Sequence, residues 1–152
     1  MLLGVISDTH GLLRPEAVAA LRGVDRIIHA GDIGGPEILA ALAAIAPVVA
    51  VRGNNDRGPW AEALPHTQIV DTGGLHLYVI HDVAELDLDP AAAGIAAVVA
   101  GHSHRPGQQQ RDGVLWFNPG SAGPRRFKLP IALGRLTIDA GLVRGEIVTL
   151  AV

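Results

Sequence analysis

The first third of the chain alternates short apolar runs with amphipathic segments. The apolar runs are residues 2–7, 25–29 and 47–51. Their unbroken hydrophobicity is typical of strands buried on both faces. Residues 15–23 begin with Pro and end with Gly, and residues 36–46 repeat apolar side chains at helical spacing, so both segments are predicted helices. This order predicts right-handed β-α-β units and a largely parallel sheet.

The pattern changes after Pro65, where pairs of apolar segments surround short turns. Gly73-Gly74 and Asp112-Gly113 are turn signals typical of hairpins, and residues 139–142 separate another pair. The predicted strands are residues 66–72, 75–81, 95–100, 108–111, 114–117, 131–138 and 143–150. The second half is therefore expected to be mostly antiparallel and to supply a second sheet. With no linker and no repeat, residues 1–152 are expected to form one domain.

Composition narrows the possible functions. With 49% hydrophobic and 18% charged residues, the chain is not intrinsically disordered. Its net charge of −3 disfavours a nucleic-acid-binding protein, so an acidic substrate must be attracted locally. The absence of Cys excludes a thiolate nucleophile and Cys-based metal sites. No apolar run approaches the roughly 18 residues of a membrane span, and the N-terminus lacks a signal-peptide pattern, so we expect a cytoplasmic protein without membrane association.

Polar side chains follow five of the predicted strands, at the point where each strand ends. They are Asp8, His10, Asp32, Asn54, His81, His102 and His104. Since the carboxyl ends of strands in a shared sheet meet at one edge, these side chains are expected to converge. Oxygen and imidazole donors favour Mn, Fe, Zn, Ni or Co. Seven donors exceed one tetrahedral site, and a shared carboxylate would accommodate two ions roughly 3.5–4 Å apart.

The ordered motifs Asp8-x-His10, Gly31-Asp32, Gly53-Asn54-x-Asp56, His81 and Gly101-His102-x-His104 resemble the calcineurin-like metallophosphoesterase superfamily. The small YfcE-type phosphodiesterases are the most similar branch, because they share this length and a segment matching Asn118-Pro119-Gly120-Ser121. The resemblance covers nearly the whole chain. It implies an α/β fold, a four-layer α/β/β/α sandwich of two mixed β-sheets flanked by helices, with a dinuclear site at the strand ends.

The resemblance also implies a role for each donor. The first metal would be held by Asp8, His10, Asp32 and His104, and the second by Asp32, Asn54, His81 and His102. Asp32 would bridge the two ions together with a water, and the resulting hydroxide would attack phosphorus. Two divalent ions are therefore expected, with Mn preferred to Ni, Fe, Zn, Co or Mg. Because the ions neutralise the phosphate, a net charge of −3 is compatible with this chemistry.

Two positions depart from the family pattern. Asn55 stands where many members have a His that serves as general acid and where this branch often has Cys, and an amide has no proton to give. We therefore expect esters with good leaving groups to be preferred, unless the substrate or a neighbouring side chain supplies an acid. Asp82 replaces the more usual Gly after His81. It is expected to orient a ligand, to add a carboxylate near the metals, or to point away.

Other polar and aromatic residues have competing interpretations. His29 is interpreted first as a buried, hydrogen-bonded structural histidine and second as a residue that supports a metal ligand. Asp56 is interpreted as a turn or supporting residue rather than a metal ligand. Arg57 is preferred to Arg125 and Arg126 as a clamp for phosphate oxygens, because it adjoins the metal motif. Two histidines, His66 and His76, are assigned no function. Three aromatic residues have core packing as the first interpretation and stacking on an aryl group or nucleobase as the second: Trp60, Trp116 and Phe127.

The leading hypothesis is a divalent-metal-dependent phosphodiesterase for small phosphodiesters, acting through a metal-bridging hydroxide. The alternative is a non-catalytic metal-binding or interaction scaffold on the same fold, which the missing acid at Asn55 keeps open. A nuclease is disfavoured because no basic groove is evident. The expected partner is a small phosphate ester, and exposed strands in the second half suggest a homodimer or higher homo-oligomer.

Overall fold

Ten strands form two five-stranded sheets in the computed structural model, which describes residues 1–152. In chain order the strands are β1 (Leu2–Ile6), β2 (Arg26–His29), β3 (Val48–Ala50), β4 (Thr67–Thr72), β5 (Leu75–Ile80), β6 (Ile95–Val99), β7 (Gly107–Arg111), β8 (Val114–Asn118), β9 (Ala132–Asp139) and β10 (Leu142–Thr149). The helices are α1 (Pro15–Ala20), α2 (Pro36–Ala43) and α3 (Pro59–Glu62), with a 3₁₀ turn at Val83–Glu85.

The first sheet has the order β10-β9-β1-β2-β3. Strands β1, β2 and β3 are parallel, as the β-α-β pattern predicts. The hairpin β9–β10 does not join the strands that precede it in the chain, because β9 pairs antiparallel with β1. The last strands of the chain therefore complete the first sheet.

The second sheet has the order β4-β5-β6-β8-β7. Its two hairpins, β4–β5 and β7–β8, are antiparallel, as their turn signals predict. The central pairs β5–β6 and β6–β8 are parallel, because long connections return the chain to the same end of the sheet before each next strand. The sheet is thus mixed, and the expectation of a mostly antiparallel second half holds for the hairpins but not for this centre.

Three apolar layers hold together the two sheets and the helices and loops that pack on their outer faces. The first lies between the two sheets and includes Leu3, Val5 and Val99. The second packs α1 and α2 against the first sheet, and Gly4 lies beneath Leu21, leaving no room for a side chain there. Each fully buried Leu or Ile in these layers contributes about 1.5–3 kcal/mol.

The outer face of the second sheet is covered more thinly. Leu86 and Leu88, which follow the 3₁₀ turn, pack with Trp116 against buried residues of β5 and β6. The four-layer α/β sandwich is confirmed, with a short turn and a loop as much of its fourth layer.

The helices differ from their predicted lengths. Helix α1 ends at Ala20, and the remaining predicted residues form a turn that ends at Gly23 with φ of +86°. Helix α2 ends at Ala43, and the short α3 was not predicted because four residues do not establish a helical period.

None of the helices is long and apolar enough to cross a membrane. Strand β7 leaves all five of its residues exposed at an open edge of the second sheet. The homodimer and the cytoplasmic location stay predictions.

Candidate metal centre

The loops that follow β1, β2, β3, β5 and β6 bring all seven predicted donors to one edge of the two sheets. Five of the seven have a left-handed backbone, with φ between +46° and +70°: Asp8, His10, Asp32, His102 and His104. This conformation is uncommon for residues other than Gly, although Asp and His adopt it more readily than most, and it is concentrated at functional sites. The left-handed backbone of these loops therefore directs the five side chains to a common point.

Asp8, His10 and His104 form the first group of donors. Asp8 Oδ1 lies 3.3 Å from His104 Nε2 and 3.8 Å from His10 Nε2, and the two imidazole nitrogens are 3.3 Å apart. Atoms bound about 2.1 Å from one ion stand roughly 3.0–3.5 Å apart, so this spacing fits a shared cation. Asp8 Oδ1 is also buried and makes no hydrogen bond of normal geometry, which a metal ion would correct.

The second group of donors surrounds His81 Nε2. Asn54 Oδ1 lies 2.9 Å away, Asp32 Oδ2 lies 3.3 Å away and Asp8 Oδ1 lies 4.0 Å away. His81 Nδ1 donates its proton to the Ala30 carbonyl at 2.7 Å, so in the neutral ring Nε2 presents a lone pair to these oxygens. Either a proton or a cation must then lie among these atoms. The donor set fits a divalent ion.

His102 completes the second group from its exposed side. Its Nδ1 lies 3.2 Å from Asn54 Oδ1, and its backbone N–H donates to Asp8 Oδ2 at 3.0 Å. Asp32 lies between the two groups, because its Oδ2 is 3.7 Å from His10 Nε2 and 3.3 Å from His81 Nε2. Asp8 reaches both groups as well. This placement is compatible with the bridging role expected of Asp32, which stays a prediction.

The pKa values of these groups reflect burial opposed by close partners. Burial raises the pKa of Asp32, but His81 and the Asn55 donors outweigh it and hold that pKa well below its usual range. For Asp8, burial is likewise outweighed, by His104 and Ser7, and the pKa is lowered. Burial lowers the pKa of His81, yet Asp32 and the Ala30 carbonyl raise it above its ordinary value. Both carboxylates are thus ionised, as metal ligands must be.

Asn55 binds Asp32 rather than the space above it. Its backbone N–H donates to Asp32 Oδ1 at 2.8 Å and its side-chain Nδ2 donates to Oδ2 at 3.0 Å. Asn55 thus orients the carboxylate that lies between the two donor groups. The amide of Asn55 donates hydrogen bonds but is not an acid at neutral pH, so it cannot protonate a leaving group.

Two buried residues hold the donor loops together. The Asp56 carboxylate accepts hydrogen bonds from the backbone N–H groups of Ile33, Gly34 and Gly53, at 2.9–3.1 Å, and so ties the Asp32 loop to the Asn54 loop. This is the supporting role predicted for Asp56.

His29 does the same for the loops that carry Asp8 and Asp32. Its Nδ1 accepts from Gly31 N at 3.1 Å, so Nε2 carries the proton and donates to Thr9 Oγ1 at 3.0 Å. Burial lowers the pKa of His29 to about 4, which keeps the ring neutral. The prediction of a buried, hydrogen-bonded histidine agrees with this geometry.

Asp82 lies beside His102. Its Oδ1 accepts from Ala84 N at 3.0 Å and caps the 3₁₀ turn, while its Oδ2 is 3.6 Å from His102 Nε2. Of the three expectations for Asp82, the structure favours a carboxylate that orients a donor histidine.

A cleft of about 460 Å³ opens next to His81 and His102. Arg52, His66, Glu85 and Asp87 contribute to its walls. Sequence reasoning missed Arg52 and gave His66 no function, because neither belongs to a motif. By contrast, Arg57 is exposed, does not line this cleft and makes no side-chain hydrogen bond or ion pair. Its predicted role in binding phosphate stays a prediction.

Comparison with known proteins identifies the family. The family model "Calcineurin-like phosphoesterase superfamily domain" matches residues 1–141. A probable metallophosphoesterase of Methanothermobacter thermautotrophicus is 35% identical over 160 residues, covering 97% of this chain and 92% of that protein. The sequence resemblance and the family are thereby confirmed.

Solved structures share the fold. A novel archaeal phosphodiesterase superposes with a TM-score of 0.80 at 23% identity, covering 97% of this chain and 100% of that chain. Vps29 of Chaetomium thermophilum gives 0.79 at 18% identity, covering 99% and 100%. The phosphoesterase YfcE of E. coli gives 0.68 at 26% identity, covering 90% and 88%.

Proposed function

The chain belongs to the calcineurin-like phosphoesterase superfamily, and from this premise we propose that it is a divalent-metal-dependent phosphodiesterase that hydrolyses small phosphodiesters. The observation that carries the proposal is the convergence of seven oxygen and imidazole donors around two buried carboxylates, Asp8 and Asp32. No donor expected of the family is missing. Manganese is the preferred metal, with two ions per chain.

The bound ions would supply Lewis acidity and a water of lowered pKa, and the protein contributes position and charge. Asp8, His10 and His104 would hold one ion, and Asn54, His81 and His102 the other, with Asp32 between them. Asn55 keeps Asp32 in place through two hydrogen bonds. Asp8 and Asp32 are buried and ionised, so water stabilises their negative charges poorly. A divalent cation bound beside them would stabilise these charges strongly.

Asn55 and the residues that line the cleft indicate which esters would react best. Asn55 gives no proton to a departing alkoxide, so esters with acidic alcohols are favoured. The cleft beside His81 and His102 is large enough for a small alcohol, and His66 in its wall is a candidate for a neighbouring acid.

The test is hydrolysis of bis-p-nitrophenyl phosphate beside p-nitrophenyl phosphate. Metal-stripped protein is assayed with Mn²⁺, Ni²⁺, Zn²⁺ or Mg²⁺ added back, and the bound metal is counted in parallel. We expect metal-dependent cleavage of the diester in preference to the monoester. Two bound ions without turnover of any ester would instead support the scaffold.

That second candidate, a non-catalytic scaffold on the same fold, is favoured by one observation. The side chain of Asn55 donates a hydrogen bond to Asp32 Oδ2 and supplies no acid. The complete donor set opposes it, since a scaffold has no need for strained, buried metal ligands.

A further inference from the structure

Phe127 is the aromatic side chain that the fold leaves free. It is 92% exposed, whereas Trp60 packs beside the helices and Trp116 packs against the second sheet under Arg111. An exposed Phe gains none of the free energy that burial gives an aromatic ring. Among Trp60, Trp116 and Phe127, it is Phe127 that presents the most exposed ring to a ligand.

The backbone at Phe127 adds a second cost. Its φ is +53°, and the remaining non-Gly residues with positive φ are the five donors and two hairpin residues, Asp112 and Ala140. Phe127 lies in a tight turn closed by Leu129 N–H donating to the Arg126 carbonyl at 3.1 Å. Gly or Asn would adopt this conformation at lower cost than a bulky ring. Neither burial nor turn geometry therefore explains a Phe here.

The segment that carries Phe127 begins at the metal centre. Ser121 Oγ donates to the Asp8 carbonyl at 2.9 Å, and Gly123 packs so closely on the Asp8–Thr9 backbone that no side chain would fit. Phe127 follows Gly123 by four residues, within about 14 Å of chain.

Basic side chains without hydrogen-bond partners lie near the exposed Phe127 ring. Arg105, which directly follows the donor His104, lines a hollow of about 580 Å³ together with Phe127, Lys128 and Leu129. The side chains of Arg105, Arg126 and Lys128 make no hydrogen bond or ion pair, so their charge is available. Arg125 differs, because it donates to the carbonyls of Leu129 and Val152 and holds the turn. In a protein of net charge −3, this is a local basic patch.

We propose that Arg105, Arg126, Phe127 and Lys128 form a binding site for the nucleoside part of a small nucleotide-type phosphodiester. The base stacks on Phe127, and further phosphate oxygens pair with the arginines and the lysine while the scissile phosphate lies at the metal centre. This inference rests on the proposed function, since it names the substrate class of the same site. Base–aromatic stacking tolerates different bases, so the site selects nucleotides as a class.

The experiment compares adenosine 5′-monophosphate with ribose 5-phosphate, which lacks the base, by calorimetric titration of the Mn²⁺-loaded protein. The wild type is expected to bind the nucleotide more tightly. Phe127→Ala is expected to weaken nucleotide binding about 5- to 100-fold and to remove this difference, while Phe127→Trp retains it. Arg126→Gln is expected to weaken both ligands. Leu142→Ala, which truncates an exposed side chain in the β9–β10 hairpin, is the matched control.

Equal affinity for the two ligands in the wild type, or equal nucleotide affinity in wild type and Phe127→Ala, would overturn the inference. Failure of the proposed function is a different result: the wild type would then not hydrolyse bis-p-nitrophenyl phosphate with any metal. Nucleotide binding that depends on Phe127 would still support the site in that case. A change in sedimentation of Phe127→Ala without a change in nucleotide binding would assign the ring to self-association and overturn the inference.

Discussion

The metal centre has a buried half and an exposed half, built in different ways. Asp8, Asp32, His81 and His104 are at most 5% exposed. Ser7 Oγ donates to Asp8 Oδ2, and His81 Nδ1 donates to the Ala30 carbonyl, so these two side chains are held by buried partners. On the other side, the His102 side chain is 44% exposed and contacts mainly Asn54 and Asp82. Removal from water costs a carboxylate the most free energy, and the two buried carboxylates are compensated by hydrogen bonds from Ser7, His102 and Asn55.

The largest effect is expected where the two donor groups meet. Asp32→Asn removes a charge from both groups at once, so we expect a loss of phosphodiesterase activity greater than about 10³-fold and fewer than two bound ions per chain. Metal analysis and initial rates on bis-p-nitrophenyl phosphate measure this. Asp139→Asn, at an exposed strand end far along the sheet, is the control. An active Asp32→Asn enzyme with two ions would contradict the bridging role.

The buried half should also depend on Asp56. Asp56→Ala leaves three backbone N–H groups without their acceptor, so we expect the free energy of unfolding to fall by about 3–5 kcal/mol. Urea denaturation of the metal-free protein measures the loss. Asp25 accepts one exposed bond from Leu2 N, and Asp25→Ala is expected to cost less than about 1 kcal/mol. Similar losses in the two variants would remove the contrast between buried and exposed carboxylates.

The pH dependence of stability tests the buried half through His29. Burial lowers the pKa of His29 to about 4, below its unfolded value near 6.5, so the unfolded chain takes up a proton first as the pH falls. The stability that neutral His29 contributes is present above pH 6.5 and is lost between about pH 6.5 and 4, by about 3 kcal/mol in total.

Urea unfolding of metal-free wild type and His29→Gln at several pH values isolates this contribution, because the other groups are common to both proteins. The free-energy difference between them is expected to shrink as the pH falls through this range. Gln109→Ala, which changes an exposed side chain of β7 that does not titrate, is expected to leave the profile parallel to that of the wild type. A His29→Gln profile parallel to wild type would contradict the assignment.

A smaller effect is expected on the exposed half. Asp82→Asn keeps the oxygen that caps Ala84 N but removes the charge near His102, so we expect affinity for one of the two ions to fall about 10- to 100-fold. Calorimetric metal titration gives the two Kd values. Glu85→Gln removes a charge from the same cleft without a contact to His102 and is expected to preserve both values. If both variants lost affinity equally, general charge in the cleft would be the cause.

The smallest effect is expected at Arg57, which is exposed and unpaired. If it binds phosphate as predicted, Arg57→Ala raises KM by roughly 3- to 10-fold with kcat retained. Arg22→Ala, an exposed change next to α1, is the control. An unchanged KM would contradict the role of Arg57 in binding phosphate.

Much of the fold and the donor set was accessible from local patterns. Neighbouring residues define the apolar runs, the turn signals and the polar residue after each strand. These local patterns therefore predict that Asp8, Asp32 and His81 lie at strand ends. The geometry of Asp56 agrees with its prediction as a turn or supporting residue, and that of His29 with its prediction as a buried, hydrogen-bonded histidine. The sequence alone did not indicate Arg52 and His66 as parts of the cleft, because their importance comes from neighbours distant in the chain.

The amino-acid sequence by itself determined the chemistry of this protein: which donors exist, that each follows a strand, and that position 55 has no acid. The tertiary structure decided what depends on distance and exposure. Asp8 meets His104 across nearly a hundred residues because β1 and β6 end at the same edge, and β9–β10 completes the first sheet rather than the second. The tertiary structure also distinguishes Phe127, whose ring is exposed, from the two partly buried tryptophans. Local periodicity specifies single elements, whereas sheet order and packing specify which elements become neighbours.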